Sequence, residues 1–179
     1  KLGGIYFDRE IFDLLKAGSA LWGDRFRALF LTNDSREVLE RFCRDSGFAS
    51  SALISRFVDH KNIPDYMALA DFALTPVKPV PTKRHCTPIK DGEYWAMGLP
   101  VIITRGISDD SDLIESNGIG AVLGGLAPQD YARAIAEIDA LMRSRTKDQL
   151  YSKIRAVAIQ ERSFERAERV YRELYGNAA

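Results

Sequence analysis

Short apolar, β-branched runs alternate with amphipathic stretches along most of the chain. Residues 27–32, 52–58, 72–75, 101–104 and 119–123 read as strands, being apolar, rich in valine, isoleucine and phenylalanine, and bounded by turn residues. Between them apolar positions recur at helical spacing. Ile11, Phe12, Leu14 and Leu15 follow an N-terminal Gly-Gly, and residues 35–46 form a helix capped by Asp34 or Ser35. Residues 63–70 give a short helix, 88–97 another, and 128–142 an amphipathic one. Such βα alternation predicts an α/β fold, a Rossmann-like parallel sheet flanked by helices and joined by right-handed crossovers. After Met142 the strands stop and extra C-terminal helices follow. The last, over 163–175, gathers Phe164, Ala167, Val170, Tyr171 and Leu174 on one face, with arginine and glutamate opposite.

Composition narrows the class. At 179 residues the chain is read as a single domain, 1–179, and 46% hydrophobic with 28% charged residues is ordinary for a globular protein. Twenty-five basic residues balance 25 acidic ones, and no basic face of the extent needed for nucleic acid is present. No apolar run approaches the roughly 18 residues of a spanning helix. The chain carries two cysteines, Cys43 and Cys86, and two histidines, His60 and His85, which is neither a disulfide framework nor a metal-ligand spacing. Cys43 falls in a helical pattern and reads as packed. Cys86 beside His85 lacks the spatial pairing a nucleophile needs. The acids in Ser108-Asp109-Asp110-Ser111-Asp112 read as a helix start with its cap rather than as a metal site.

The chemistry concentrates in Thr87-Pro88-Ile89-Lys90-Asp91-Gly92-Glu93. Thr87 reads as the N-cap and Pro88 as the first helical residue. Lys90 then lies in the first turn, beside free N–H groups at the positive end of the helix dipole, where a cation loses a few tenths to about 1 kcal/mol. A bound phosphate reverses that sign. The alternative is that Lys90 points into solvent or pairs with Asp91 or Glu93. Glu93 shares the Lys90 face, placed to accept hydrogen bonds from sugar hydroxyls. The helix feeds a buried strand at 101–104, and parallel sheets bind ligands at the carboxyl ends of their strands. The long, proline-rich, basic loop 76–86, with Lys83, Arg84 and His85, meets that edge. Gly3-Gly4 permits positive φ and close approach to a phosphate. His60 and Asn33 follow strands at the same edge.

These residues carry a family resemblance. Pro88-Ile89-Lys90…Glu93-Tyr94…Ala96…Gly98-Leu99-Pro100-Val101 is similar to the Lys…Glu-Tyr…Ala…Gly…Pro-Val signature of retaining GT-B glycosyltransferases, closest to glycosyltransferase family 4, the "group 1" transferases. Ile63-Pro64-Asp65-Tyr66-Met67-Ala68-Leu69-Ala70-Asp71-Phe72 resembles the family's Pro-x-x-hydrophobic-Ala-x-Ala-Asp segment. The resemblance implies the C-terminal, donor-binding half of a GT-B fold. It makes Glu93 the ribose ligand, and places the donor diphosphate at the helix start, with Thr87, Ile89 and Lys90, beside Gly3-Gly4. It puts the nucleobase near His60. Where many members have a glutamate touching the sugar, this sequence has His85.

The implied activity is metal-independent transfer of a hexose from a UDP- or GDP-linked donor to a glycan or lipid-linked acceptor, in surface polysaccharide biosynthesis. The nucleotide-sugar is a substrate, and no cofactor is implied. The expected setting is the cytoplasm, at the inner face of a membrane. The acceptor half would lie in an N-terminal domain of the same protein, which would also carry any membrane association. A chain opening at a glycine loop, with no strand before it, reads as cut from a longer protein. Three other readings are a nucleotide-sugar epimerase of the same architecture, a non-catalytic binding module, and a flavodoxin-like receiver domain. The last needs acids on separate loops, which the Ser108–Asp112 cluster does not supply.

Overall fold

Each strand forms where the apolar run predicts; the one at 101–104 keeps its full length and the other four are shorter by one to three residues. The computed structural model describes residues 2–176. In chain order the elements are α1 (Arg9–Trp22), β1 (Ala28–Leu31), α2 (Arg36–Ser46), β2 (Leu53–Arg56), α3 (Ile63–Met67), β3 (Ala73–Thr75), α4 (Ile89–Ala96), β4 (Val101–Thr104), α5 (Asp110–Asn117), β5 (Gly120–Leu123), α6 (Pro128–Arg143), α7 (Lys147–Arg162) and α8 (Phe164–Tyr175). Ser35 caps α2, its hydroxyl accepting from the Val38 N–H, and Thr146 with Gln149 forms a capping box on α7.

All strand pairs are parallel, as the βα alternation predicts. They fall into two sheets where a single one was expected: β1 pairs with β2, and β3-β4-β5 form a second sheet. The sheets share a core instead of a ladder. Phe72 and Leu74, in and beside β3, pack into the cluster of Phe7, Phe12, Phe26 and Leu39 that also takes Phe30 of β1. Aromatic stacking knits this cluster, Phe12 lying 5.5 Å from Phe30 and 5.4 Å from Phe42 between ring centroids.

Burial follows the two-residue period of the strands. Val101 and Ile103 of β4 enter one cluster with Trp95, Ile114 and Ile154, so that face lies under α4, α5 and α7. Ile102 enters the opposite cluster with Leu14, Tyr131, Ile135 and Ile138, under α1 and α6. Helices on both faces are what a fully apolar parallel strand requires. The chain turns out of α4 at Gly98, two residues past its end, where a φ of +70° and a tight seat against Tyr151 leave no room for a side chain. Helix α3 stops at Met67, short of the predicted 63–70, because Ala68, Leu69 and Ala70 turn back on the carbonyls of Pro64, Tyr66 and Met67.

Helix α8 stands apart from this core. Phe164 is 93% exposed, Leu174 68% and Tyr171 63%, so its apolar face covers nothing among the described residues.

Candidate functional site

The carboxyl ends of β3 and β4, the starts of α4 and α5, and the N-terminal segment converge on one edge. Gly3 and Gly4 turn the chain with φ of +73° and +67°. Ile5 and Phe7 then pair with the exit of β3: the Lys78 N–H donates to the Ile5 carbonyl and the Phe7 N–H to the Pro76 carbonyl, each at 2.9 Å. This antiparallel bridge between Tyr6 and Val77 delivers the Tyr6 ring to α4. The Lys90 ammonium sits over that ring, 5.0 Å from its centroid. Lys90 and the glycine turn are thus brought to the same place.

The start of α4 differs from the expected cap. Pro88, with ψ of 117°, is the N-cap rather than the first helical residue, and no side chain caps the helix. Thr87 does not fill that role because its hydroxyl is engaged elsewhere, 2.9 Å from the Ser108 hydroxyl. The first N–H groups of α4, at Ile89 and Lys90, therefore have no hydrogen-bond partner among the described residues. Ile89 itself is 81% exposed, so only its backbone can serve a ligand. Ser108 also ties down the long loop, its N–H donating to the Lys83 carbonyl at 3.0 Å. It does so in a left-handed conformation, φ +49°, that a serine adopts at a cost.

Glu93 is exposed on the same side of α4 as Lys90, and its carboxylate makes no hydrogen bond or ion pair among the described residues. His85 ends an exposed 3-10 turn, Pro81–His85, next to the exposed thiol of Cys86. Cys43, by contrast, is buried, and burial pushes its thiol up. His60 and Asn33 are exposed beyond β2 and β1, at the end of the other sheet and not of the β3-β4-β5 sheet that leads into α4 and α5.

Beneath that edge lies a cluster the sequence did not announce. Asp91 does not pair with Lys90; it points inward and is fully buried, as are Trp95 one turn on and Asp110 at the start of α5. The Thr75 hydroxyl, at the end of β3, donates to Asp91. Arg162, the last residue of α7, pairs with Asp110, lies 3.1 Å from Asp109, and places its guanidinium 5.4 Å over the Trp95 ring. Asp110 and Asp109 thus bind Arg162, and neither side chain caps α5. Burial, with the neighbouring Asp110 carboxylate, pushes Asp91 up to about 8 against the opposing hydrogen bond from Thr75. Burial also raises Asp110, against the pull of Arg162. The Oδ2 oxygens of both aspartates are buried with no hydrogen-bond partner among the described residues, as is the Thr104 hydroxyl at the end of β4.

No protein-family model matches the chain, and no curated protein matches it. Solved structures do. The crystal structure of WaaG, a glycosyltransferase involved in lipopolysaccharide biosynthesis, aligns with a TM-score of 0.69 at 16% identity, over 94% of this chain and 43% of its own. That of AviGT4, a glycosyltransferase involved in avilamycin A biosynthesis, aligns with a TM-score of 0.55 at 21% identity, over 98% and 49%. The fold is that of the GT-B glycosyltransferases. The chain spans less than half the length of either structure.

Within this GT-B fold, sequence reasoning missed Tyr6, Ser108 and the Asp91–Asp110–Arg162 cluster. Tyr6 carries a local signal, an aromatic two residues after a glycine pair. Arg162 carries none, because 52 positions separate it from Asp110. No helix among the described residues is long and apolar enough to cross a membrane.

Proposed function

We propose that this chain is the C-terminal, donor-binding domain of a retaining, metal-independent glycosyltransferase of family 4. It binds a UDP- or GDP-linked hexose for transfer to a glycan or lipid-linked acceptor in surface polysaccharide assembly, at the cytoplasmic face of a membrane. The observation that carries the reading is the start of α4: unpartnered N–H groups, the Lys90 ammonium and the Gly3-Gly4 turn at one strand edge. Free amides, a helix dipole and a cation together favour a diphosphate. Glycosyl transfer builds negative charge on the departing diphosphate, and these fixed donors stabilise it as it forms. Tyr6 holds the ammonium near the turn beforehand, so less side-chain freedom is lost when the anion arrives. Glu93, with no partner of its own, receives the ribose hydroxyls.

The acceptor half of the cleft belongs to an N-terminal domain of the full-length protein, and the exposed Phe164–Leu174 face of α8 docks there. The isolated chain therefore binds nucleotide and transfers nothing. Calorimetry with UDP, GDP and their nucleosides tests the assignment. Lys90→Ala weakens diphosphate binding about tenfold or more, as for a lost charge-assisted hydrogen bond, and leaves the nucleoside unaffected. Glu93→Ala weakens both. Equal binding by native and both variants removes the donor-site assignment.

A further inference from the structure

The cluster under α4 bears on the same site, and the inference drawn from it rests on the donor-site reading. Asp91 occupies the first turn of α4, where an ionised carboxylate is ordinarily favoured by the dipole. Here such a charge would lie beneath the N–H groups and the ammonium offered to a ligand, competing with the ligand for their positive potential. The surroundings oppose ionisation. Asp91 is wholly buried, β3 offers it only the neutral Thr75 hydroxyl, and α5 faces it with Asp110. The cation that faces it among the described residues, Arg162 from α7, is bonded to Asp110 and Asp109. On α4 itself Tyr94 feels Asp91, Glu93 and the Tyr6 phenol, and burial pushes it up to about 12, so it stays neutral.

The hydrogen-bond inventory agrees. The two aspartates interact with each other, and the Oδ2 of each is buried with no hydrogen-bond partner. One proton between them gives both oxygens a partner. It also leaves a single carboxylate charge for Arg162 to neutralise.

We propose that Asp91 is a positioning residue of the donor site, held neutral by a proton shared with Asp110, and that loss of this proton to solvent lowers affinity for the donor diphosphate. Ionisation puts two buried carboxylates side by side and a negative charge under the tip of α4. The first turn, with Lys90 and the free amides, then loses both its position and its potential. The effect falls on the diphosphate and not on the base, which separates it from a general loosening of the fold.

The experiment is calorimetric titration of the native chain with UDP and GDP between pH 7.5 and 9, with uridine and guanosine as controls. These start above the range in which the terminal phosphate of the nucleotide itself titrates. With Asp91 near its value of about 8, the competent fraction falls so that diphosphate affinity drops roughly eightfold over this interval, while nucleoside affinity holds. Asp91→Asn keeps the donor and acceptor pattern of the protonated acid and cannot ionise, so its diphosphate affinity is flat over the same range. The native profile, measured against its nucleoside control, stands even if the variant does not fold. A flat native profile, an equal fall for the nucleosides, or the native inflection persisting in Asp91→Asn overturns this inference alone. Absence of nucleotide binding at every pH overturns the donor-site reading and this inference with it.

Discussion

Replacing Arg162 with methionine takes one charge out of a place where its partner cannot reach water. Asp110 has no exposed side-chain surface, and Arg162 exposes 20% of its own. Removing one member of a buried ion pair costs about 3–5 kcal/mol. Water at the outer edge of the guanidinium puts this case at the low end, about 3 kcal/mol. Methionine keeps a thioether against the Trp95 ring, so the contact at 5.4 Å is exchanged rather than emptied. In a chain of this length 1 kcal/mol moves the melting temperature by about 2–4 °C, so Arg162→Met melts about 6–12 °C below the native protein at pH 7.5. The deficit shrinks towards pH 5, because Asp110, already raised by burial, then takes a proton and needs no cation. Circular-dichroism melts over that pH range read both effects. A combined Asp91→Leu, Asp110→Leu, Arg162→Met chain removes all the buried charge and recovers most of the loss. A single variant within about 2 °C of native, or a triple variant melting below the single one, would refute the ion-pair account.

Two further outcomes follow from packing. Gly98→Ala drives a Cβ into the Tyr151 ring and to 2.9 Å from its Cα, at a φ of +70°; urea denaturation should show a loss above about 2 kcal/mol, and a loss below about 1 would contradict that geometry. Phe164→Ser with Tyr171→Ser, on the exposed face of α8, should leave the midpoint of this chain within about 0.5 kcal/mol of native. A larger change there would mean that the face is covered in solution.

How much of this was legible beforehand depends on how local the cause is. β4 forms at 101–104 as predicted because four consecutive apolar or β-branched residues leave a buried strand as the natural outcome. The apolar face of α8 could be read in the same way, residue by residue. Thr87 looked like a cap because capping is judged within one turn, and nothing nearby reveals that Ser108 will claim its hydroxyl. Asp91 looked like an ordinary first-turn acid or a partner for Lys90. Its inward direction is set by Thr75 and Asp110, which only the fold brings to it. The division into two sheets was equally hidden, since period-two burial fixes which face of a strand is covered but not which neighbour it bonds.

Of the two thiols, one is sealed in the aromatic core while Cys86 stands in the open, three residues before the helix that carries Lys90. The native chain consequently comes with its own labelling handle. A maleimide dye added to this chain attaches at Cys86, at the rim of the candidate cleft, in preference to the buried Cys43, so occupancy and motion of the loop before α4 can be followed by fluorescence without engineering a single residue.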